Sequence, residues 1–245
     1  MRIGLFSDCE GNAVALEAIL TALRAYAPDV LVCAGDILCC PVSPDPPAET
    51  IALLEAHGVL AIPGNHDRYL MDWGTPRWPH TLWMRLRRAD PLGAWIAQVP
   101  AAQARIRPRD LAWLRALPEE RLLDDGRVYV CHGMPGNPWN SIWPRHPLYD
   151  ANVTDADRDA ALSLLAHSSA NGPPGPPTPT RRVEVVLCGH APEPREYRDR
   201  LLDGGELRVV RGCHAAGQVG FAVLTRRGRA WAVEWGAGEV RQRSG

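Results

Sequence analysis

Five short polar segments each follow directly on a brief apolar run, and they constrain this chain more than any other feature. They are Ser7-Asp8-Cys9-Glu10-Gly11-Asn12, Gly35-Asp36, Gly64-Asn65-His66-Asp67, Cys131-His132-Gly133 and Cys188-Gly189-His190. In α/β sheets, ligand sites form beyond the carboxyl ends of the strands. A lone Asp or His in such a place is usually a cap or turn residue. Five in succession point to one shared site.

The apolar runs read as strands: Arg2–Phe6, Val30–Ala34, Val59–Ile62, Val128–Cys131, Val183–Cys188, Leu207–Val210, Val219–Leu224 and Ala230–Val233. Helical periodicity covers Asn12–Tyr26, Pro47–His57, Arg109–Ala116 and Asp155–Ala166. The early βαβαβ order predicts parallel strands. The last three strands, with glycine turns at Asp203-Gly204-Gly205 and Arg226-Arg227-Gly228, read as antiparallel hairpins. The fold class is α/β, with a mixed sheet or two packed sheets flanked by helices.

The 245 residues suit one large domain or two small ones. Strands on both sides of the Pro/Gly/Ser tract at 168–180 complete one pattern. The expectation is therefore a single domain over 1–245, with a flexible excursion at 168–180. Met71–Gln98 carries Trp73, Trp78, Trp83 and Trp95; it reads as an insertion anchored by aromatic packing in preference to a substrate-facing cap.

A net charge of -1 provides no basic field, so general nucleic-acid binding is not expected. No secretory leader is visible, and no apolar run reaches the ~18 residues a membrane span needs. Seven cysteines without a CxxC pair predict reduced thiols, a cytoplasmic location and no zinc-thiolate site. Cys39-Cys40 reads as small filler side chains.

The donors in the five segments are carboxylate, amide oxygen and imidazole, a set that suits Mn²⁺, Fe, Zn²⁺ or Mg²⁺. A carboxylate bridging two such ions favours in-line displacement at phosphorus. The order Asp-x-Glu-Gly-Asn, Gly-Asp, Gly-Asn-His-Asp, His-Gly-x-Pro, Gly-His resembles the calcineurin-like metallophosphoesterase superfamily, in its small bacterial and archaeal phosphodiesterase-like branch. The resemblance runs from residue 2 to about residue 235. It implies a four-layer αββα sandwich with two mixed β-sheets, and one or two divalent metal ions as cofactors. It also implies hydrolysis of a small-molecule or nucleotide phosphoester by a metal-bound hydroxide. The resemblance assigns roles by position: Asp8 would ligate the first metal, Asp36 would bridge, and Asn65, His132 and His190 would complete the second. His66 contacts the scissile phosphate and protonates the leaving oxygen, and Asn12 contacts phosphate.

Two positions depart from the family pattern. Glu10 stands where the first motif has histidine, and Pro192 where the last motif has one. Both belong to the first metal. Glu10 is a candidate ligand there, giving a harder, more oxygen-rich site that favours Mn²⁺ or Mg²⁺. Alternatively the first metal is weak or absent, or His214 or Glu193 substitutes. The second function class left open is a catalytically weakened or inactive metal- or nucleotide-binding module. Trp139 and Trp143 are candidates for stacking on a base or for loop packing, and Arg195 is a candidate phosphate contact.

Overall fold

The computed structural model describes residues 1–38, 45–86, 97–141, 153–166, 182–191, 194–201, 204–212, 220–228 and 230–239. In chain order its elements are β1 (Arg2–Phe6), α1 (Ala13–Arg24), β2 (Val30–Ala34), α2 (Pro47–Ala56), β3 (Leu60–Ile62), α3 (Asn65–Asp72) and α4 (Trp78–Leu86). There follow α5 (Val99–Ala104), α6 (Pro108–Ala116), β4 (Arg121–Leu123), β5 (Val128–Val130), α7 (Asp155–Ala166), β6 (Val185–Cys188), β7 (Arg195–Arg200), β8 (Glu206–Arg211), β9 (Gly220–Arg227) and β10 (Ala230–Ala237).

The strands form two five-stranded mixed sheets, in the orders β10-β9-β1-β2-β3 and β4-β5-β6-β8-β7. Both read as buried from their sequence, because alternate residues on each central strand are apolar on both faces. Ile3 and Leu5 of β1, Val32 and Ala34 of β2, Val128 and Val130 of β5 and Val185 and Leu187 of β6 fill the space between the sheets. Their neighbours face outward: Phe6 and Cys33 pack against α1, α2 and α3, and Tyr129, Val186 and Cys188 against α7. The result is the four-layer αββα sandwich. Each fully buried Val, Leu or Ile side chain stabilises it by roughly 1.5 to 3 kcal/mol.

The helices form for local reasons. In α1, Leu16, Ile19, Leu20 and Leu23 make one buried stripe, and the Asn12 side-chain oxygen caps the start by accepting the Ala15 N–H at 2.8 Å. Trp73 and Trp78 meet edge to face with centroids 4.7 Å apart and pack on the same core, which supports the reading of an aromatically anchored insertion; Trp83 is exposed. The four described cysteines, Cys9, Cys33, Cys131 and Cys188, are buried free thiols. No described helix is long and apolar enough to cross a membrane.

One topological expectation is corrected. Of the last three strands only β9 and β10 form a hairpin; β8 lies in the other sheet, parallel to β6. Gly204 and Gly205 instead lie between β7 and β8, which pair antiparallel. β7 reads Arg-Glu-Tyr-Arg-Asp-Arg, has no apolar alternation, and was not foreseen. It is a sheet edge, where charge is what keeps a strand from pairing further. Cys39-Cys40, Trp95, Trp143, the 168–180 tract, Pro192, Glu193 and His214 lie outside the described residues.

Candidate metal centre

Parallel pairing puts the carboxyl ends of β1, β2 and β3 at one edge of the first sheet, and those of β5 and β6 at one edge of the second. Asp8, Asp36, His132 and His190 each sit two residues past the end of their strand, and Asn65 opens α3 just beyond β3. Asp8, Asp36 and His190 have left-handed backbones, with φ of 53°, 50° and 69°, and Glu10 shares this at 48°. Non-glycine residues rarely adopt this region, and such strain concentrates at functional sites. Hydrogen bonds hold the loops in it. The Asp8 N–H donates to the Gly35 carbonyl (2.8 Å), Glu10 N–H to that of Asp36 (2.9 Å) and Gly11 N–H to that of Ile37 (2.8 Å).

The side chains converge. Ligand atoms of Asp8, Asp36 and His132, all buried, lie within 4.8 Å of one another. His132 Nε2 is 3.3 Å from Asp36 Oδ2 and 3.0 Å from Asn65 Oδ1, and His190 Nδ1 is 2.8 Å from that amide oxygen. The His190 N–H donates to Asp8 Oδ2 at 3.2 Å. His132 Nδ1 faces the Ala34 carbonyl at 2.7 Å, so that nitrogen carries the proton and joins the two sheets. In a neutral ring Nε2 would then point a lone pair at carboxylate and amide oxygens. A proton on the ring or a metal ion among these donors relieves that conflict. The donor set therefore fits a divalent ion.

Electrostatics agree. Burial alone would lower the His132 imidazole, but the Asp36 carboxylate beside it, the Asp8 charge and the Ala34 carbonyl outweigh this and hold it at about 9. Burial would raise the Asp36 carboxyl, yet the His132, His66 and His190 rings around it keep it below the ordinary carboxylate range. At pH 7 the metal-free site thus carries a proton on His132 that a metal must displace. Metal binding is expected to release about one proton, and affinity to fall about tenfold per pH unit as pH drops below 9. Calorimetric titration in two buffers of different ionisation enthalpy checks this; equal apparent enthalpies would contradict it.

Close backbone approach makes two glycines obligatory. Gly35 has φ of +94°, and a Cβ there would lie 2.4 Å from His132 Nδ1. A Cβ on Gly64 would lie 2.1 Å from Asp36 Oδ1. Asp67 carries a role that the sequence reading did not assign. Fully buried, it accepts the N–H groups of Ile37 (3.0 Å), Leu38 (2.9 Å) and Gly64 (2.8 Å), tying the loops after β2 and β3 together. Its place as the third residue of α3, ideal for accepting the N–H that precedes the helix, was the available signal.

The other expected site residues are more dispersed. His66 adjoins the centre: its N–H donates to Asp36 Oδ1 at 2.8 Å, and its side chain is 26% exposed, against 0% for His132. The Glu10 carboxylate lies 3.7 Å from His66 Nδ1 and is not among the clustered donors. The Asn12 side-chain oxygen is the α1 cap. Arg195 is exposed at the site-proximal start of β7, 5.2 Å from the Tyr197 ring centroid. Trp139 is buried against Tyr69 at 5.2 Å, so its role is packing rather than stacking on a substrate.

Comparison with known proteins places this geometry. A family model described as calcineurin-like phosphoesterase matches residues 1–201. A metallophosphoesterase from Sphaerobacter thermophilus is 21% identical, with 98% of this chain and 89% of that one covered at a TM-score of 0.61. A hypothetical protein from Pyrococcus horikoshii OT3 is 17% identical over 98% of this chain and 89% of its own, with a TM-score of 0.64. A dimetal phosphatase from Danio rerio is 14% identical over 97% and 96%, at 0.51. At these identities the likenesses establish the fold. A search of curated proteins finds no significant match.

Proposed function

The chain belongs to the calcineurin-like phosphoesterase family, and from its site we propose that it hydrolyses phosphodiesters or phosphomonoesters of small or nucleotide-like molecules at one or two divalent ions. Metal-dependent phosphoester hydrolysis is the chemistry of the family. The observation that carries the proposal to this chain is the meeting of buried Asp8, Asp36 and His132, whose ligand atoms lie within 4.8 Å of one another and could hold a metal ion. Asp8, Asp36, Asn65, His132 and His190 would hold the ion or ions, with Asp36 the carboxylate two ions would share. Mn²⁺ is the ion proposed first, since oxygen donors predominate.

A divalent ion there supplies Lewis acidity toward phosphate oxygens and acidifies water. The chain's own residues do the rest. The buried imidazoles would hold the ion, while the part-exposed His66 reaches the substrate and protonates the leaving oxygen as its bond to phosphorus breaks. Asn12 and Arg195 are proposed to contact substrate at the rim. A net charge of -1 supports a compact substrate over a nucleic-acid polymer. The four described cysteines are free thiols, which supports the proposal of a cytoplasmic setting.

Purified protein assayed on a chromogenic phosphodiester with Mn²⁺ is expected to turn over, and chelation to stop it. His66→Ala should lower kcat by about 10³-fold with bound metal per chain unchanged. Absence of turnover with every divalent ion tried, in folded protein, would sink the catalytic reading. It would leave the alternative of a metal- or nucleotide-binding module, which Glu10's place outside the donor cluster favours; one tightly held ion per chain without activity is its signature.

A further inference from the structure

We infer that Glu10 is the positioning residue for His66, its carboxylate receiving the imidazole Nδ1–H and so aiming Nε2–H at the leaving oxygen. The inference rests on the phosphoesterase reading above. Two carboxylates compete for that nitrogen: Glu10 Oε1 at 3.7 Å and Asp36 Oδ2 at 3.9 Å. Asp36 is engaged elsewhere. Its Oδ1 accepts the His66 main-chain N–H at 2.8 Å, and its Oδ2 lies 3.3 Å from His132 Nε2, inside the metal-binding group. An ion held by Asp36 and His132 would draw on the same carboxylate. Among the described residues, Glu10 belongs to no cluster of metal-binding donors.

The His66 ring is oriented for this use. Its Nδ1 is buried and makes no hydrogen bond in this conformation, while the side chain as a whole is 26% exposed. The exposed edge is therefore the one that carries Nε2. Glu10 is anchored by its own N–H on the Asp36 carbonyl at 2.9 Å and by its left-handed backbone, so side-chain rotation alone separates 3.7 Å from a hydrogen bond. Catalytic hydrogen bonds are commonly long before substrate arrives and tighten in the complex. In the reaction, a water oxygen forms a bond to phosphorus and gives up a proton to solvent, while the bond from phosphorus to the leaving oxygen breaks with its electron pair going to that oxygen, which takes the Nε2 proton. His66 ends neutral, with Nδ1–H still held by Glu10, and the carboxylate offsets the imidazolium charge before the transfer.

The test compares wild type, Glu10→Gln and Glu10→Ala, each loaded with Mn²⁺. Bound manganese per chain is measured, with kcat and KM on two diesters, one losing nitrophenolate and one losing an alkoxide. The expected result for Glu10→Ala is unchanged manganese, KM within about twofold, kcat on the alkoxide ester lower by about thirtyfold and kcat on the nitrophenyl ester lower by less than about threefold. Glu10→Gln, whose amide oxygen still accepts from Nδ1–H, should fall between. Loss of manganese in Glu10→Ala would make Glu10 a ligand and overturn the inference, and so would equal losses on both esters. Nitrogen NMR of the His66 ring in magnesium-loaded protein gives a readout independent of turnover. Glu10→Ala should shift the Nδ1 resonance, and an unmoved resonance overturns the pairing. If wild type itself is inactive, the phosphoesterase reading fails, while the NMR result still decides whether Glu10 holds His66.

Discussion

Asp36→Asn is expected to lower kcat by about 10³-fold, about 4 kcal/mol of transition-state stabilisation, in a protein that remains folded. Folding should survive because asparagine tolerates the left-handed backbone at this position, φ 50°, and its amide oxygen still accepts the His66 N–H that Asp36 Oδ1 accepts at 2.8 Å. What disappears is the negative charge at the centre of the site. With it goes the main influence holding the His132 imidazole at about 9, so that ring should titrate closer to the ordinary imidazole range. Metal content per chain, kcat and the His132 titration by NMR are the three measurements. Retained activity, or a His132 titration identical to wild type, would show that Asp36 is not the carboxylate around which the site is organised.

The second large effect falls on stability. Asp67→Ala removes the acceptor for three N–H groups, those of Ile37, Leu38 and Gly64, in a place without exposure to water. An orphaned buried donor costs about 1 to 3 kcal/mol, and some relaxation follows, so a loss of about 4 kcal/mol in denaturant-induced unfolding is expected. Asparagine should be a poor substitute, because its NH₂ must confront either the Leu38 N–H or the Ile37 and Gly64 pair. The pH dependence has a definite sign. Burial first, then the Asp36 charge, push the Asp67 carboxyl up from 3.8 to about 7. A folded state that holds a proton more tightly than the unfolded chain loses that advantage as pH rises. The gap between wild type and Asp67→Ala should therefore narrow between pH 4 and 7. A gap of under about 1 kcal/mol would show that water reaches these N–H groups.

The central strands were legible because both of their faces are buried: Ile3, Leu5, Val32, Val185 and Leu187 make short apolar runs that few other structures produce. The ligand loops were legible for the complementary reason, being polar interruptions at a fixed distance past those runs. Elements whose residues serve something other than the core were missed. α3 opens Asn65-His66-Asp67-Arg68, which is site chemistry and reads as loop. Among the described residues the edge strands β4 and β7 have one neighbouring strand each, and they carry little apolar pattern. The placing of β8 and β9 in different sheets depends on packing between sheets, which spacing along the chain does not encode. For the site, residue types located the donors, but the direction of the Glu10 side chain and the threefold acceptance by Asp67 emerge only once two loops from different strands lie side by side.

The positive φ angles at Asp8, Asp36 and His190 also act as a filter on descent. A β-carbon there costs roughly 1 to 2 kcal/mol, less for Asp, Asn and His, more for branched side chains. The amino acids that such a backbone admits most readily are themselves oxygen and nitrogen donors. Drift at these positions can therefore exchange one metal preference for another, or lose the metal, far more easily than it can make the site apolar.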